Sequence, residues 1–143
     1  MRLIVLAAGR LRAPYADDVQ HYAKLLGRYA RLELVEVRDD AQLPARLPTG
    51  PAGGGPGPLI SLLDDEGETF TSQAFAAWLE QRRHSGRDLC FVVGGAFGLA
   101  ELPAAEHRLS LGPMTLPHQL ARVVLLEQLY RGHKILAGEP YHH

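Results

Sequence analysis

The sequence predicts an α/β fold, a mostly parallel sheet flanked by helices. Three observations carry that expectation. Short apolar runs of strand length recur along the chain, closed by glycine or by acidic residues. Stretches with helical spacing of their apolar positions stand between them. The resulting order, βαββαβαβα, alternates strands with helices as parallel sheets require.

The elements follow in order. Leu3 to Ala7 reads as a buried strand ended by Gly9. Pro14 can open a helix at its first turn, and Asp17 and Asp18 suit a helix N-terminus. Val19, Tyr22, Ala23 and Leu26 then share the face that packs on the sheet. Leu32 to Val37 is a second strand. Pro44 to Pro58, with Gly53-Gly54-Gly55 at its centre, reads as a flexible loop. No Gly-Lys-Ser/Thr follows those glycines, which argues against a phosphate loop. Leu59 to Leu63 is a third strand, closed by Asp64-Asp65-Glu66-Gly67. Thr71 or Ser72 caps a helix running through Arg83, with Phe75, Ala76 and Leu79 inward. Leu89 to Val93 is a fourth strand and enters Gly94-Gly95-Ala96-Phe97-Gly98. Leu102 to His107 is expected as a short helix, and Leu109 to Leu111 as a short fifth strand. A long final helix opens at Pro117 with Thr115 as its cap.

The 143 residues suit a single domain, 1–143, and their 46% apolar content can fill a core. Net charge is −1, so a nucleic-acid partner must be met by a local patch rather than a global field. Arg2, Arg10, Arg12, Arg28 and Arg31 are the candidates for such a patch, against ordinary solvated surface. Cys90 is the sole cysteine, which excludes an intrachain disulfide, and its apolar run suits a small core residue. The N-terminal apolar run is too short for a signal peptide, and no window is long enough to span a membrane. These features point to a cytoplasmic protein.

Ligands of open parallel sheets bind beyond the carboxyl ends of the strands. Three loops qualify: the turn after Leu63, Gly94–Gly98 and Gly112–Thr115. Glycines let backbone groups approach a ligand closely, although a tight strand-to-helix turn needs them equally. The final helix is apolar on most sides, so it must be buried on most sides, by the sheet and by a second subunit. Glu127 and Arg131 stand i,i+4 in the favourable order and share a sector with Leu120 and Val124, which suits a partly buried orienting pair. Arg122 lies on another face and could meet a phosphate or the partner subunit. His118, in the first turn, is either a capping histidine or a polar group facing substrate. His142 and His143 lack companions at ligand spacing, so no metal is expected. No Ser-His-Asp pattern or nucleophile elbow is evident.

Several motifs together resemble one known family. They are Gly94-Gly95-x-x-Gly98, Leu109-Ser110-Leu111-x-x-Met114-Thr115-Leu116-Pro117-His118-Gln119, Arg122-x-x-x-x-Glu127-Gln128-x-Tyr130-Arg131, and Gly138-Glu139-Pro140-Tyr141-His142. The chain resembles the RlmH family of SPOUT-class enzymes, which methylate N3 of a pseudouridine in 23S ribosomal RNA, and the likeness covers nearly its whole length. The resemblance implies an α/β knot, in which the C-terminal segment threads a loop as a trefoil, against ordinary connection rules. It implies S-adenosylmethionine as cofactor, bound by Leu63, Gly94, Gly95, Leu111, Gly112, Pro113, Met114, Thr115 and Leu116. It implies a homodimer with the last helix in the interface, acting on 23S rRNA within the assembled ribosome. His118, Arg131, Tyr141 and His142 are then the catalytic candidates, with the tail of one subunit reaching the substrate site of the other.

The chain departs from that family in two places. Pro44–Pro58 replaces a usually helical stretch, and Gly112-Pro113 stands where a serine is common. Two other readings stay open: a non-catalytic dimeric module that binds RNA or a nucleoside, and a SPOUT methyltransferase with another RNA target.

Overall fold

The chain forms five strands: β1 (Arg2–Ala8), β2 (Arg31–Val37), β3 (Leu59–Glu68), β4 (Leu89–Val93) and β5 (His107–Leu109). They form one sheet in the order β2-β1-β4-β3-β5, and every pairing is parallel in this computed structural model, which describes residues 1–95, 99 and 101–141. Strands covered on both faces carry unbroken apolar sequence. That is why central β1 and β4 read Leu-Ile-Val-Leu-Ala-Ala and Leu-Cys-Phe-Val-Val and are buried throughout. Edge strand β2 interleaves Arg31, Glu33 and Glu36 and stays half open to water.

The two-residue period of the strands sorts side chains between two cores. Leu3, Val5, Ala7, Leu89, Phe91 and Val93 face helices α1 (Tyr15–Leu26), α3 (Ser72–Ser85) and α4 (His118–Leu136). Ile4, Leu6, Ala8, Cys90 and Val92 face the other side. There the four-residue α2 (Leu43–Arg46) and Leu102 supply a thinner cover. Cys90 belongs to this second core, and burial pushes its thiol up to about 12.

α4 packs between α1 and α3, so its own chain buries Leu125, Leu126 and Leu129. Helix and helix approach closely at Gly132, where a Cβ would lie 2.7 Å from Leu79 Cδ1. The broad apolar surface of α4 is thus explained first by two neighbouring helices. Leu120, Val123, Val124 and Ile135 are left half-buried.

Several elements differ from the expectation. β3 does not stop at Leu63. Residues 64–67 bulge out, and Glu68 returns to pair with Leu109. Gly67 permits this, because a Cβ there would sit 2.7 Å from the carbonyl carbon and oxygen of Arg108. No helix forms over Leu102–His107. Six residues are too few to hold a helix alone, and the Glu106 N–H is taken by Ile60 O as strand pairing begins. β5 therefore starts two residues earlier than expected and ends at Leu109. A short helix, α2, overlaps the start of the Pro44–Pro58 loop. Pro117, not Thr115, occupies the N-cap of α4, with no side-chain cap. Thr71 does cap α3, accepting from Ala74 N at 3.1 Å.

The five arginines do not make one patch. Arg2 and Arg31 begin adjacent strands at the amino edge of the sheet, where Arg2 pairs with Glu33 and Asp88. Arg28 follows α1 near that same edge. Arg10 and Arg12 lie beyond the carboxyl end of β1, past a strand of 7 residues that spans about 23 Å.

Candidate active site

The carboxyl edge of the sheet is built from the ends of β1, β3, β4 and β5. Beside it lies a cleft of about 500 Å³, between the start of α3, the segment Leu109–Pro113 and the middle of α4. Phe70, Phe75, Leu111, Val124 and Leu125 give it apolar walls; Ser110 and Gln128 supply polar groups. Its volume is in the range of small-molecule sites.

Ser110 sets the shape of the loop that forms one wall. It is 5% exposed. Its hydroxyl lies 3.0 Å from Asp65 O and 3.0 Å from Gly112 O, and it accepts from Gly112 N at 3.0 Å. One hydroxyl hydrogen serves only one of those two carbonyls at a time. Gly112 has φ +129, and nothing lies within 4 Å of the place its Cβ would take. The backbone there is therefore open to a close-fitting ligand.

Of the nine proposed cofactor residues, Leu111, Gly112 and Pro113 line this cleft. Leu63 lies within β3 just before its bulge and Gly94-Gly95 follow β4, and none of the three lines it. Met114, at 81% exposure, Thr115 and Leu116 lead on toward α4. The Gly95 N–H is held by Asp40 Oδ1 at 2.7 Å, so that amide is committed within the chain. The remainder of the glycine loop, 96–98, and His142 lie outside the described residues.

His118 and Arg131 stand at opposite ends of α4. His118 opens the helix, and its Nε2 would lie 3.6 Å from a Cβ at Gly9, beyond the carboxyl end of β1. Arg131 is thirteen residues further, about 20 Å along the axis. At that end Tyr130 and His133 pack on Tyr29, which follows α1 at the amino edge. Arg131 pairs with Glu127, and its guanidinium sits over the Tyr141 ring at 4.2 Å. The Tyr141 hydroxyl donates to Glu127 Oε1 at 3.0 Å, and Gln128 Nε2 donates to Oε2 at 2.9 Å. Burial and that carboxylate push the Tyr141 phenol up to about 12, so it stays a donor at neutral pH. Glu127 is therefore the hub that fixes Arg131 and the tail. The i,i+4 spacing showed the pair, but nothing in the sequence showed that the tail folds back onto it.

Arg122 departs from its expected role. It is 3% exposed and meets neither solvent phosphate nor a free surface. Its Nη2 donates to Ala8 O at 2.7 Å and to Gly9 O, and its Nη1 to Glu36 at 2.7 Å. Burial lowers its pKa, with Glu36 opposing that shift.

A serine, a histidine and a carboxylate do line up in space. Ser61 Oγ lies 2.8 Å from His107 Nδ1, whose Nε2 lies 2.9 Å from Glu68 Oε1. Ser61 is fully buried and Trp78 stacks on His107 at 4.7 Å, so no substrate reaches the hydroxyl. The chain of bonds ties β5 to β3. Among the described residues no group of three His, Cys, Asp or Glu could hold a metal, and no helix is long and apolar enough to cross a membrane.

Residues 1–142 match the family model described as "Predicted SPOUT methyltransferase". The chain belongs to that family. It is accordingly a methyltransferase. It is 44% identical over 152 residues to "Ribosomal RNA large subunit methyltransferase H" of Nitratidesulfovibrio vulgaris strain DP4, covering 99% of this chain and 97% of the relative. The protein of that name from Anaeromyxobacter sp. strain Fw109-5 is 45% identical over 157 residues, with 99% of each chain covered. The one from Gloeobacter violaceus is 43% identical over 152 residues, covering 100% of this chain and 99% of its own.

Proposed function

We propose that the protein methylates N3 of a pseudouridine in 23S ribosomal RNA, using S-adenosylmethionine, as a homodimer acting on assembled ribosomes in the cytoplasm. The end-to-end likeness to proteins named for ribosomal RNA large subunit methylation carries this reading. The α/β knot, with the whole of 1–143 working as one domain, belongs to the same proposal.

The cleft fits the cofactor. Its volume suits a nucleoside-sized ligand, its walls are apolar, and Gly112 leaves backbone accessible. S-adenosylmethionine supplies an electrophilic methyl on a sulfonium when bound. Phe75, Leu111 and Val124 exclude water beside it, which favours a transfer that dissipates charge. The loop Leu111–Leu116, Leu63 ahead of the β3 bulge, and Gly94-Gly95 after β4 orient it.

The N3–H of pseudouridine is weakly acidic, so it gives its proton to solvent and the anion is the nucleophile; the methyl–sulfur bond breaks as the N3–methyl bond forms, and a neutral thioether leaves. Arg131 stabilises charge on the ring, and Tyr141 holds that guanidinium in position through its ring and through its bond to Glu127. His118 faces the cofactor edge. These groups cannot converge within one chain, since about 20 Å of helix separates them. A two-fold axis that sets two α4 helices antiparallel brings His118 of one protomer beside Arg131 and Tyr141 of its partner. That requirement supports the dimer.

The deciding experiment maps methylated nucleosides by mass spectrometry in 23S rRNA from a strain lacking the gene, before and after complementation. Loss and return of one N3-methylpseudouridine is expected. A lost methyl on a different base would redirect the reading to another RNA target. No lost methyl, together with ribosome binding, would favour a non-catalytic module.

A further inference from the structure

We infer that the segment following β1 is a preset phosphate clamp, which presents Arg10 and Arg12 as two fixed cations to the ribosomal RNA strand next to the cofactor edge. The inference rests on the proposed action on ribosomal RNA and adds to it the surface that engages the backbone.

The observation is how firmly this short connection is held. Gly9 N donates to Val37 O at 2.8 Å. Leu11 N donates to Glu36 Oε2 at 3.0 Å, and Arg12 N to Gln119 Oε1 at 2.8 Å. Gln119 Nε2 returns a bond to Arg10 O at 3.2 Å. Arg122 grips the carbonyls of Ala8 and Gly9 and also Glu36. Glu36 and Val37 of β2 and Gln119 and Arg122 of α4 thus satisfy six of the backbone groups from Ala8 to Arg12. Burying a guanidinium is costly, and its Nε is left without a partner. A connection between a strand and a helix does not need such a device to close.

What the device holds outward is charge. Leu11 is half-buried against the main core, while Arg10 and Arg12 on either side are exposed. Neither arginine pairs with a carboxylate among the described residues, a state they share with Arg28, Arg31, Arg46 and Arg82, whereas the other seven arginines are paired. Asp17 and Asp18, one turn into α1, bond neither of them. Arginines separated by one inward residue stand up to about 7 Å apart, and both point away from the core. His118 adjoins Gly9, so the pair sits beside the cofactor edge. Because the backbone is already fixed, engaging an anion costs side-chain freedom but no further backbone ordering. A phosphodiester strand is the partner this fits: repeated anions, no base-specific group, and a fork geometry that favours arginine over lysine.

The test is co-sedimentation of the protein with purified 70S ribosomes across a potassium chloride series. The double variant Arg10→Gln/Arg12→Gln should bind at least tenfold more weakly at low salt. Its slope of log affinity on log salt should be shallower by about 1.4, two phosphates at roughly 0.7 each for single strands. Arg10→Lys/Arg12→Lys should keep the slope. Arg28→Gln/Arg31→Gln, at the other edge, should leave both quantities unchanged. Affinity for S-adenosylmethionine and the melting temperature should not move in any of them. An unchanged slope in the Gln pair overturns the clamp, as does wild-type protein that fails to sediment with ribosomes. Wild-type protein that sediments normally yet transfers no methyl leaves the clamp standing and refutes the proposed activity instead.

Discussion

Replacing Arg122 by methionine tests how the carboxyl edge is held together. The side chain is 4% exposed and links α4 to the end of β1 and to Glu36 of β2. Methionine fills much of the same volume, so the loss is in hydrogen bonds rather than cavity. Two carbonyl bonds to a charged donor contribute about 1.5–3 kcal/mol each, net of solvent exchange. Ala8 lies in the interior, so its carbonyl loses a partner that water does not readily replace. Glu36 is 42% exposed and can be rehydrated, so its loss counts for little. Removing a buried charge returns part of the sum, because the guanidinium no longer has to be desolvated. The balance is a loss of about 3 kcal/mol. For a chain of 143 residues that lowers the melting temperature by roughly 10 °C. Thermal unfolding by circular dichroism, with urea titration as a check, measures it. A melting temperature within 2 °C of wild type would show that the buried arginine contributes nothing net and that the β1 connection holds itself.

Three further outcomes are expected. Gly67→Ala should destabilise the protein by about 3 kcal/mol or more, since its Cβ meets the Arg108 backbone, whereas Gly53→Ala, with open space around it, should shift stability by less than about 1 kcal/mol; equal melting temperatures would remove the case for the bulge. Ser110→Ala should weaken S-adenosylmethionine binding about tenfold by calorimetry, roughly the 1.4 kcal/mol of one well-placed hydrogen bond, and an unchanged affinity would mean that the loop keeps its shape without the hydroxyl. Burial lowers the pKa of His133, with a bond to Leu129 O opposing. The unfolded chain therefore takes up the proton first. The stability from neutral His133 is complete above about pH 6.5 and is lost as pH falls toward the lowered folded value. The urea midpoint of wild type should drop between pH 7 and pH 5 by more than that of His133→Gln, and parallel drops would exonerate the histidine.

β1, β4, the first half of β3 and the three long helices are legible because each is a solid apolar run or carries an apolar helical face; β2 is legible despite its charges, and β5, His-Arg-Leu, only at Leu109. What periodicity could not show was set by contacts distant in sequence. Asp64-Asp65-Glu66-Gly67 has the composition of a turn. Yet it is a bulge, because Ser110 and Glu68 draw the chain back into register with β5. Leu102–His107 lost its helix to a single carbonyl, Ile60 O, in a strand more than forty residues away. Arg122 looked free because i,i+4 rules see only its own helix; its partners are at positions 8, 9 and 36. Asp40, which holds Gly95, carries no local signal at all.

The final helix explains why the candidate site reads so well in sequence and so poorly within one chain. Its first turn secures the β1 connection and presents His118 at the carboxyl edge of the sheet. Its last turns, through Glu127, hold Arg131 and Tyr141 at the far edge. Both sets are ordered, and each is anchored by its own buried or half-buried bonds, so neither behaves as a frayed end waiting to swing across. Moving Tyr141 about 20 Å toward its own His118 would break its bonds to Glu127 and its contacts with Arg131 and Tyr130. An antiparallel partner brings the two ends together without breaking any of them. On the proposed reading, a protomer thus contributes half of each of two sites, and dissociation of the dimer abolishes methyl transfer while leaving the cofactor cleft intact.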